Sequence, residues 1–471
     1  MEYTSHTDQS RREMLAAIGV RSLDELFKAI PADVRQKAPL RLPDGLSQAE
    51  VDSLLESLAG QNAAAPEVVS YLGGGIYNHH VPAAVDAVSF RSEFYTAYTP
   101  YQPEVAQGTL QATYEFQSMI RRLTGMDVAQ ASLYDVGSAL AEAALVAIAQ
   151  TGRRKLIIAG TLNPRFRSVL DTYLSAQNAL IDVAIGSDGR TDFAKLSALT
   201  DDQTAAVIMP SPNYFGSLER WDEGAKVAHR HGALFVTVFY PISLGLIKPP
   251  GDCGADIAVG EGQSLGNPPS FGGPLLGLFA IKKEFIRRLP GRLIGRSVDA
   301  LGQTAYVMTL QTREQHIRRE KATSNICTAQ ALLATRAAIY MALLGKQGIV
   351  QLARTCSERA HYLASRIAAL KGYSIPFGAS FFNEFVVEAP VAARVVLEQL
   401  RRRGIIGGIE LGGRFPGFDR RLLVSVTERH SPAMLDRLVE ELRSAASGTA
   451  TDMPAKPTSY SGRDMTASER R

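Results

Sequence analysis

The sequence predicts an α/β fold, with a large domain built on a mostly parallel sheet and a smaller α+β domain after it. Between residues 108 and 281, helix-like and strand-like segments alternate, which is typical of a parallel sheet with helices on both faces. Beyond Leu310 the pattern changes to long helices with isolated strands between them. The predicted strands of the large domain are Leu156–Ala159, Ala179–Val183, Ala205–Met209, Leu234–Tyr240, Ile257–Val259 and Leu276–Ile281.

The predicted helices and smaller strands complete this outline. The large domain has helical periodicity at Gly108–Leu123, Ser138–Thr151, Pro164–Leu174, Phe193–Leu199 and Trp221–His231. The segment Tyr71–Gln107 is rich in Gly, Pro and aromatic residues and is predicted to be an extended loop. The predicted elements of the smaller domain are helices Thr328–Leu344, Ile349–Leu370, Val391–Arg403 and Ser431–Ala446 and strands Phe382–Val387 and Leu422–Val426.

Four regions follow one another along the chain. Residues 1–65 are predicted to form a helical arm, in which Ser47 and Glu50 have the spacing of a capping box. The large α/β domain is expected over 66–325 and the small α+β domain over 326–446. Residues 447–471 are rich in Ser and Thr and poor in large apolar side chains, so we expect a disordered tail.

The composition excludes several classes of function. The chain has 51 Lys and Arg against 47 Asp and Glu, with no long basic block, so nucleic-acid binding is not expected. Apolar runs are shorter than the roughly 18 residues that span a bilayer, which excludes a membrane segment. Cys253, Cys327 and Cys356 are few and far apart, so we expect neither disulfides nor a cysteine metal site, and a reducing cytoplasm fits.

A fold of this kind is shared by pyridoxal-phosphate enzymes, which need a lysine for the cofactor and an acid beside its ring nitrogen. Neither group stands where it is expected. The strand Leu234–Tyr240 carries no acid, and no lysine lies between Lys248 and Lys282. The loop after the next strand reads Gly260–Ser264, with Gln263 as the candidate for the lysine position, and an amide cannot form an imine. The sequence therefore predicts the fold without a cofactor bound covalently to this chain.

Four motifs carry a family resemblance. They are Ser92–Glu104, Gln107–Gln111, Gly260–Pro268 and Leu310–Thr328, the last of which is nineteen residues long. With them, about residues 1–445 resemble subunit 1 of glycine dehydrogenase (decarboxylating), the N-terminal-half subunit of the split P-protein of the glycine cleavage system.

The resemblance implies a fold-type I pyridoxal-phosphate-transferase-like large domain in a subunit that has no cofactor lysine of its own. In this family the sister subunit, subunit 2, holds pyridoxal phosphate covalently, and the active site forms where the two subunits meet. The family reaction decarboxylates glycine and transfers the aminomethyl group to the lipoyl arm of the H-protein. The expected partners are therefore subunit 2, lipoylated H-protein and glycine.

The site prediction rests on an aromatic run and a basic segment. Tyrosines recur every three residues between prolines, and they either line a small polar pocket or pack beneath a loop. The basic segment, which contains Arg313 and His316, either holds an anion such as a carboxylate or forms a salt-linked connection between the two domains. The predicted pocket or interface residues are Tyr95, Tyr98, Tyr101, Gln107, Thr109, Arg313 and His316.

Two loops depart from the family pattern. Asn78 stands where the family usually has Asp, and Val136 stands where it usually has Gly. These departures favour an alternative, in which the chain is a non-catalytic regulatory or scaffolding paralogue. A third possibility is a self-sufficient homodimeric pyridoxal-phosphate enzyme that uses Lys248 or Lys282.

Overall fold

A computed structural model describes residues 6–37, 42–62, 68–174, 179–310, 315–322 and 324–447. The chain divides into two compact units, residues 1–65 and 66–471. The helices of the first unit are α1 (Asp8–Ile18), α2 (Leu23–Leu26), α3 (Ala32–Lys37) and α4 (Gln48–Ala59). Helix α4 begins after Ser47, and the predicted capping box with Glu50 is confirmed, since each residue's side chain accepts from the other's backbone N–H.

The second unit alternates strands and helices through its first half. Its strands are β1 (Val69–Ser70), β2 (Val128–Ala129), β3 (Lys155–Ala159), β4 (Ala179–Val183), β5 (Thr204–Ser211), β6 (Leu234–Phe239), β7 (Ile257–Glu261), β8 (Gly277–Ile281), β9 (Leu293–Val298), β10 (Thr304–Thr309), β11 (Glu384–Glu388), β12 (Ile405–Ile406), β13 (Ile409–Glu410) and β14 (Arg421–Ser425). Its helices are α5 (Ala83–Ser89), α6 (Ser92–Tyr95), α7 (Gln107–Thr124), α8 (Val136–Thr151), α9 (Pro164–Leu174), α10 (Phe193–Leu199), α11 (Trp221–Arg230), α12 (Gln315–Arg318), α13 (Ala331–Ala368), α14 (Ala393–Arg402) and α15 (Pro432–Ser447).

The central sheet has seven strands in the order β2-β8-β7-β6-β5-β3-β4. Neighbours from β4 to β7 are parallel, and β8 and β2 are added antiparallel at one edge, so the prediction of a mostly parallel α/β sheet is confirmed. Both faces are covered, because alternate residues of β3 enter different cores: Ile157 joins the core with α11 and α13, and Ile158 joins the core with α8. The carboxyl ends of β5, β6 and β7 therefore meet at one edge.

The second half of the unit follows the predicted order of strand, helix and strand. Strands β11, β14 and β13 form an antiparallel sheet, and α13, α14 and α15 supply apolar side chains to its core. The two long helices predicted on either side of residue 345 are both present within the range given for α13, which a kink divides at the non-helical Gly345, where φ is 59° and ψ is -175°. The boundary proposed at residues 325 and 326 stays a prediction.

One local expectation was wrong, and one hairpin was missed. The predicted extended loop over Tyr71–Gln107 contains α5 and α6, which are too short to show a clear period of 3.6 residues in the sequence. Helix α5 is anchored by a buried arginine, because Arg336 pairs with Asp86 at 2.7 Å and donates to Ser89 Oγ at 3.0 Å. The hairpin of β9 and β10 was not predicted.

Two predictions concern the remaining parts of the chain. The predicted tail, except for its first residue, lies outside the described residues. In the part of the chain that is described, no helix is both long and apolar enough to cross a membrane.

Candidate functional site

A small cavity lies at the carboxyl ends of β5, β6 and β7, where parallel α/β sheets commonly bind ligands. Its volume is about 50 Å³. The walls come from these strand ends, from Gly74, Gly75 and Tyr77, from the first residue of α8, and from Glu384 at the start of β11. We call it the closed pocket, because side chains of this chain occupy its polar positions.

Glu261, the last residue of β7, occupies the N-terminus of α8. Its carboxylate accepts from the backbone N–H of Val136 at 3.2 Å, of Gln263 at 3.0 Å and of Leu276 at 2.9 Å. Burial raises the pKa of Glu261 to about 8, although the three N–H donors act in the opposite direction. A helix N-terminus at this edge is a ready anion site, and here a side chain of the same chain fills it.

Glu384 closes the opposite wall. It accepts from the Gly74 N–H at 2.7 Å and from the Tyr77 hydroxyl at 2.9 Å. A Cβ at Gly73 would lie 2.1 Å from Glu384 Oε1 and 2.6 Å from Ser425 Cβ, so only glycine fits here without a shift of its neighbours. Burial raises the pKa of Glu384 to about 7. Below neutral pH both acids of the closed pocket therefore favour the protonated form.

Gln263, at the predicted lysine position, is a structural clamp. Its side chain is buried, and it accepts from the Tyr77 N–H and donates to the Tyr77 carbonyl, both at 3.0 Å. It also donates to the Asn267 carbonyl at 2.6 Å. The amide therefore uses both of its ends to hold two loops together, a task that needs one acceptor and two donors.

Neither of the alternative lysines lies at the closed pocket. Lys282 pairs with Asp256, which precedes β7 and so stands at the opposite edge of the sheet. Lys248 is an exposed partner of Asp222.

A buried polar cluster adjoins the closed pocket at Tyr240. His79 Nδ1 contacts Glu428 Oε2 at 2.7 Å, and His79 Nε2 contacts the Tyr240 hydroxyl. Cys356 Sγ lies 3.6 Å from the same Glu428 oxygen. Burial acts against ionisation of Glu428, but its hydrogen bond and charge interaction with His79 lower its pKa to about 2. The ligand atoms of His79, Cys356 and Glu428 lie close enough for a metal ion, but both ring nitrogens of His79 are already engaged.

A second cavity, of about 250 Å³, lies between α7, the start of β9 and the start of α13. We call it the arginine cavity, because Arg292 is the one charged side chain that lines it in the described part of the chain. Arg292 is only 9% exposed. Its Nη2 donates to the Cys327 carbonyl at 2.8 Å and lies 3.4 Å from the Tyr101 hydroxyl. The Tyr101 ring centroid is 5.6 Å from its Cζ.

The predicted tyrosines fall in different places. Tyr98 lines the arginine cavity and Tyr101 contacts its arginine. Tyr95 is exposed in α6 and packs edge-on against Phe90. The structure thus brings two of the three beside one cavity.

The other predicted site residues are less informative. Gln107 exchanges two hydrogen bonds with the backbone of Tyr306 in β10, which is a structural role. Thr109 accepts through its carbonyl from Thr113 Oγ1, and Thr113 lines the arginine cavity. Arg313 lies outside the described residues, and of His316 only the backbone, in α12, is described. The role of all seven residues in a substrate pocket stays a prediction.

Sequence reasoning missed three residues that the structure makes prominent: Glu261, Glu384 and Arg292. Glu261 lies in the segment Gly260–Ser264, which was predicted to be a loop, but it received no role, since a single acid gives no spacing signal. Arg292 follows Gly291, whose φ is 65°, and a lone arginine after a turn resembles any solvated one. What sets it apart is burial, which only the fold reveals.

The fold is shared with structures of known proteins. Solved structures that share the fold include a sphingosine-1-phosphate lyase from Burkholderia pseudomallei, with a TM-score of 0.61 and 14% identity over 87% of this chain and 92% of that one. A NifS-like protein gives a TM-score of 0.60 with 12% identity, over 80% of this chain and 98% of that one. The architecture is that of fold-type I pyridoxal-phosphate enzymes.

The family assignment is more specific than the fold. The glycine cleavage system P-protein family model matches residues 1–442, and the chain belongs to this family. A protein of Chlorobium phaeobacteroides named "Probable glycine dehydrogenase (decarboxylating) subunit 1" is 52% identical over 445 residues, which cover 94% of this chain and 99% of that one. A protein of the same name from Desulforamulus reducens is 47% identical over 442 residues, with the same coverage.

A solved structure supports the same assignment. The crystal structure of a glycine decarboxylase (P-protein) of the glycine cleavage system in inhibitor-bound form superposes with a TM-score of 0.87. It is 42% identical and covers 94% of this chain and 100% of that one. The resemblance identified from the sequence motifs is confirmed, and the subunit name implies a partner subunit.

Proposed function

We propose that this chain is the cofactor-free subunit of a two-subunit glycine dehydrogenase (decarboxylating). In this proposal pyridoxal phosphate is held by the sister subunit, and the present chain contributes walls of the active site at the interface. The complex decarboxylates glycine and delivers the aminomethyl group to the lipoyl group of the H-protein. The observation that carries the proposal is the closed pocket.

Three features of the closed pocket do not fit pyridoxal phosphate. Glu261 occupies the N-terminus of α8, where a cofactor phosphate would be repelled by an ionised carboxylate and would lose its N–H donor to a protonated one. Gln263 stands at the predicted lysine position, where an amide cannot form an imine, and both ends of this amide are already hydrogen-bonded to Tyr77. Strand β6 offers only Thr237 as a polar side chain and no acid for a ring nitrogen.

The volume supports the same conclusion. A cavity of about 50 Å³ is far below the roughly 300–1,000 Å³ of ordinary cofactor and ligand sites. The closed pocket therefore supports a structural role for this edge of the sheet, and it leaves covalent chemistry to the partner.

The chain's own contribution is then positional. A subunit without a cofactor site can bind substrate, exclude water and fix the partner's loops, and each of these effects lowers a barrier without a covalent step. The arginine cavity, which Tyr98 lines, is the feature that supports such a role, since its volume is about 250 Å³ against about 50 Å³ for the closed pocket.

A second candidate is a non-catalytic paralogue that regulates or scaffolds the complex. The observation that favours it is Val136, whose side chain lines the closed pocket at a position where the family usually has glycine. Both candidates explain a small pocket whose polar positions are taken by the chain's own side chains, so only activity in the assembled complex separates them.

Reconstitution tests the proposal. The chain and its sister subunit are purified separately, and exchange of labelled bicarbonate into glycine is measured for each alone and for the mixture with lipoylated H-protein and pyridoxal phosphate. We expect exchange only in the mixture. Full exchange by the sister subunit alone would support the paralogue, and exchange by this chain alone would support a self-sufficient enzyme.

A further inference from the structure

The arginine cavity contains a buried charge without a counter-charge. The Arg292 side chain makes two polar contacts within the described part of the chain, to the Cys327 carbonyl and the Tyr101 hydroxyl, and neither partner is a carboxylate. Its Nη1 donates to no described residue, and its buried Nε has no partner. An ionised side chain that is more than nine-tenths buried is costly unless an opposite charge compensates it.

The N-terminus of α13 also favours a negatively charged ligand in this cavity. Residues 328–332 line the cavity, and α13 begins at Ala331 with no side chain capping its N-terminus. The first N–H groups of a helix have no acceptor inside the helix and carry partial positive charge. Ser132 Oγ, which also lines the cavity, is buried without a partner. A buried cation, an uncapped helix start and an unpaired hydroxyl therefore surround one cavity.

The size and lining restrict the ligand. The volume of about 250 Å³ is below the range of drug-sized sites, so a molecule of a few heavy atoms fits best. No described lining residue is acidic. Guanidinium groups suit planar carboxylates, which they bind through paired or forked hydrogen bonds.

We propose that Arg292 binds the carboxylate of a small amino-acid substrate in the arginine cavity. Nη1 supplies the charge-assisted hydrogen bonds, and the Tyr101 ring with the Cys327 carbonyl holds the guanidinium in place. This inference rests on the proposed function, since glycine is the carboxylate that the complex would offer. The rival source is an acidic side chain of the sister subunit that pairs with Arg292 when the complex forms.

The test compares Arg292→Gln with Arg296→Gln, which removes an exposed arginine from β9 in the same hairpin. Each variant is assembled with the sister subunit, and kcat and KM for glycine are measured in the exchange reaction. Loss of a charge-assisted hydrogen bond in a buried site predicts about a 10- to 100-fold rise in KM for Arg292→Gln. Arg296→Gln is expected to change KM less than about twofold.

A binding measurement keeps the test independent of catalysis. Calorimetric titration of the assembled wild-type complex compares acetate with methylamine at constant ionic strength. Saturable acetate binding that glycine displaces, and that Arg292→Gln abolishes, is the expected result. If Arg292→Gln does not fold, acetate binding by the wild type and its absence for methylamine decide the question alone.

The two failures are distinguishable. A wild-type mixture without any exchange activity would overturn the proposed function. An active wild type that binds no acetate, or an Arg292→Gln complex with unchanged KM, would overturn the role of Arg292 alone. Weak subunit association by Arg292→Gln with unchanged KM in the assembled fraction would instead assign Arg292 to an acidic side chain of the partner.

Discussion

The closed pocket and the arginine cavity place their buried ionisable groups in opposite situations. In the closed pocket, Glu261 and Glu384 each find hydrogen-bond donors within the chain, and almost no space is left. In the arginine cavity, Arg292 has space beside it and no acidic partner among the described residues. Buried polar groups are normally satisfied, so an unsatisfied one beside a cavity is where a ligand is expected. This difference supports a structural role for the closed pocket and a ligand-binding role for the arginine cavity.

The largest expected effect comes from restoring a lysine to the closed pocket. Gln263→Lys removes the partners of the buried Tyr77 N–H and carbonyl and buries an ammonium group. We expect the free energy of unfolding in urea to fall by about 3–5 kcal/mol. We also expect no absorbance band of a lysine imine when pyridoxal phosphate is added, because Glu261 still occupies the start of α8.

The matched control for this change is Gln203→Lys on an exposed loop, which should shift stability by less than about 0.5 kcal/mol. A stable Gln263→Lys chain that forms an imine would show that the closed pocket can admit pyridoxal phosphate. The contrast drawn between the two cavities would then be wrong.

The next effect is a pH dependence that arises from Glu384. Burial raises its pKa to about 7, whereas in the unfolded chain it ionises in its ordinary range near 4.5. Between these two values the folded protein binds more protons, so rising pH favours unfolding, by up to about 1.4 kcal/mol per pH unit. Stability from this group is complete below pH 4.5 and is lost as pH approaches 7.

Glu384→Gln should remove this slope while keeping both contacts, because the amide oxygen can accept from Gly74 and the amide nitrogen can donate to Tyr77. Urea unfolding at several values between pH 4.5 and 7.5 measures it. Glu358→Gln, at an exposed position of α13, should leave the wild-type slope unchanged. Parallel curves for wild type and Glu384→Gln would mean that this acid is ionised in the folded protein.

A smaller effect is expected at the rim of the arginine cavity. Tyr101→Phe removes the hydroxyl 3.4 Å from Arg292 Nη2 but keeps the ring, so the guanidinium is oriented less firmly. We expect KM for glycine to rise about two- to fivefold in the assembled complex, since one long hydrogen bond is lost. Tyr362→Phe, on the solvent side of α13, serves as the control. Identical KM values for both variants would show that the Tyr101 hydroxyl does not help to orient Arg292 for substrate binding.

Much of the fold could be predicted from the sequence, because periodicity reflects burial. The buried strands β5, β6 and β7 appear as apolar runs, and the helices between strands appear as amphipathic segments. The short helices α5 and α6 could not be predicted, since they span only seven and four residues, and α5 depends on the distant Arg336 for its anchor. Tertiary contacts, not local pattern, decide such elements.

The site could be predicted only in part. The missing lysine is visible in the sequence because the residues of a single loop can be inspected without knowing which distant residues lie near it. The pairing of Glu261 with the start of α8 joins residues 125 positions apart, and the pairing of Glu384 with Tyr77 spans 307. Arg292 reaches its cavity through contacts with Tyr101 and Cys327, which no local motif records. Long-range side-chain contacts of this kind become visible only in the folded chain.

The most direct test of the central claim is to locate the cofactor lysine. The assembled complex of this chain and its sister subunit is incubated with pyridoxal phosphate, reduced with borohydride and digested, and the labelled peptide is identified by mass spectrometry. The account predicts a single labelled lysine on the sister subunit and none on this chain. A stoichiometric label at one lysine of this chain would contradict it, because the closed pocket would then not exclude the cofactor.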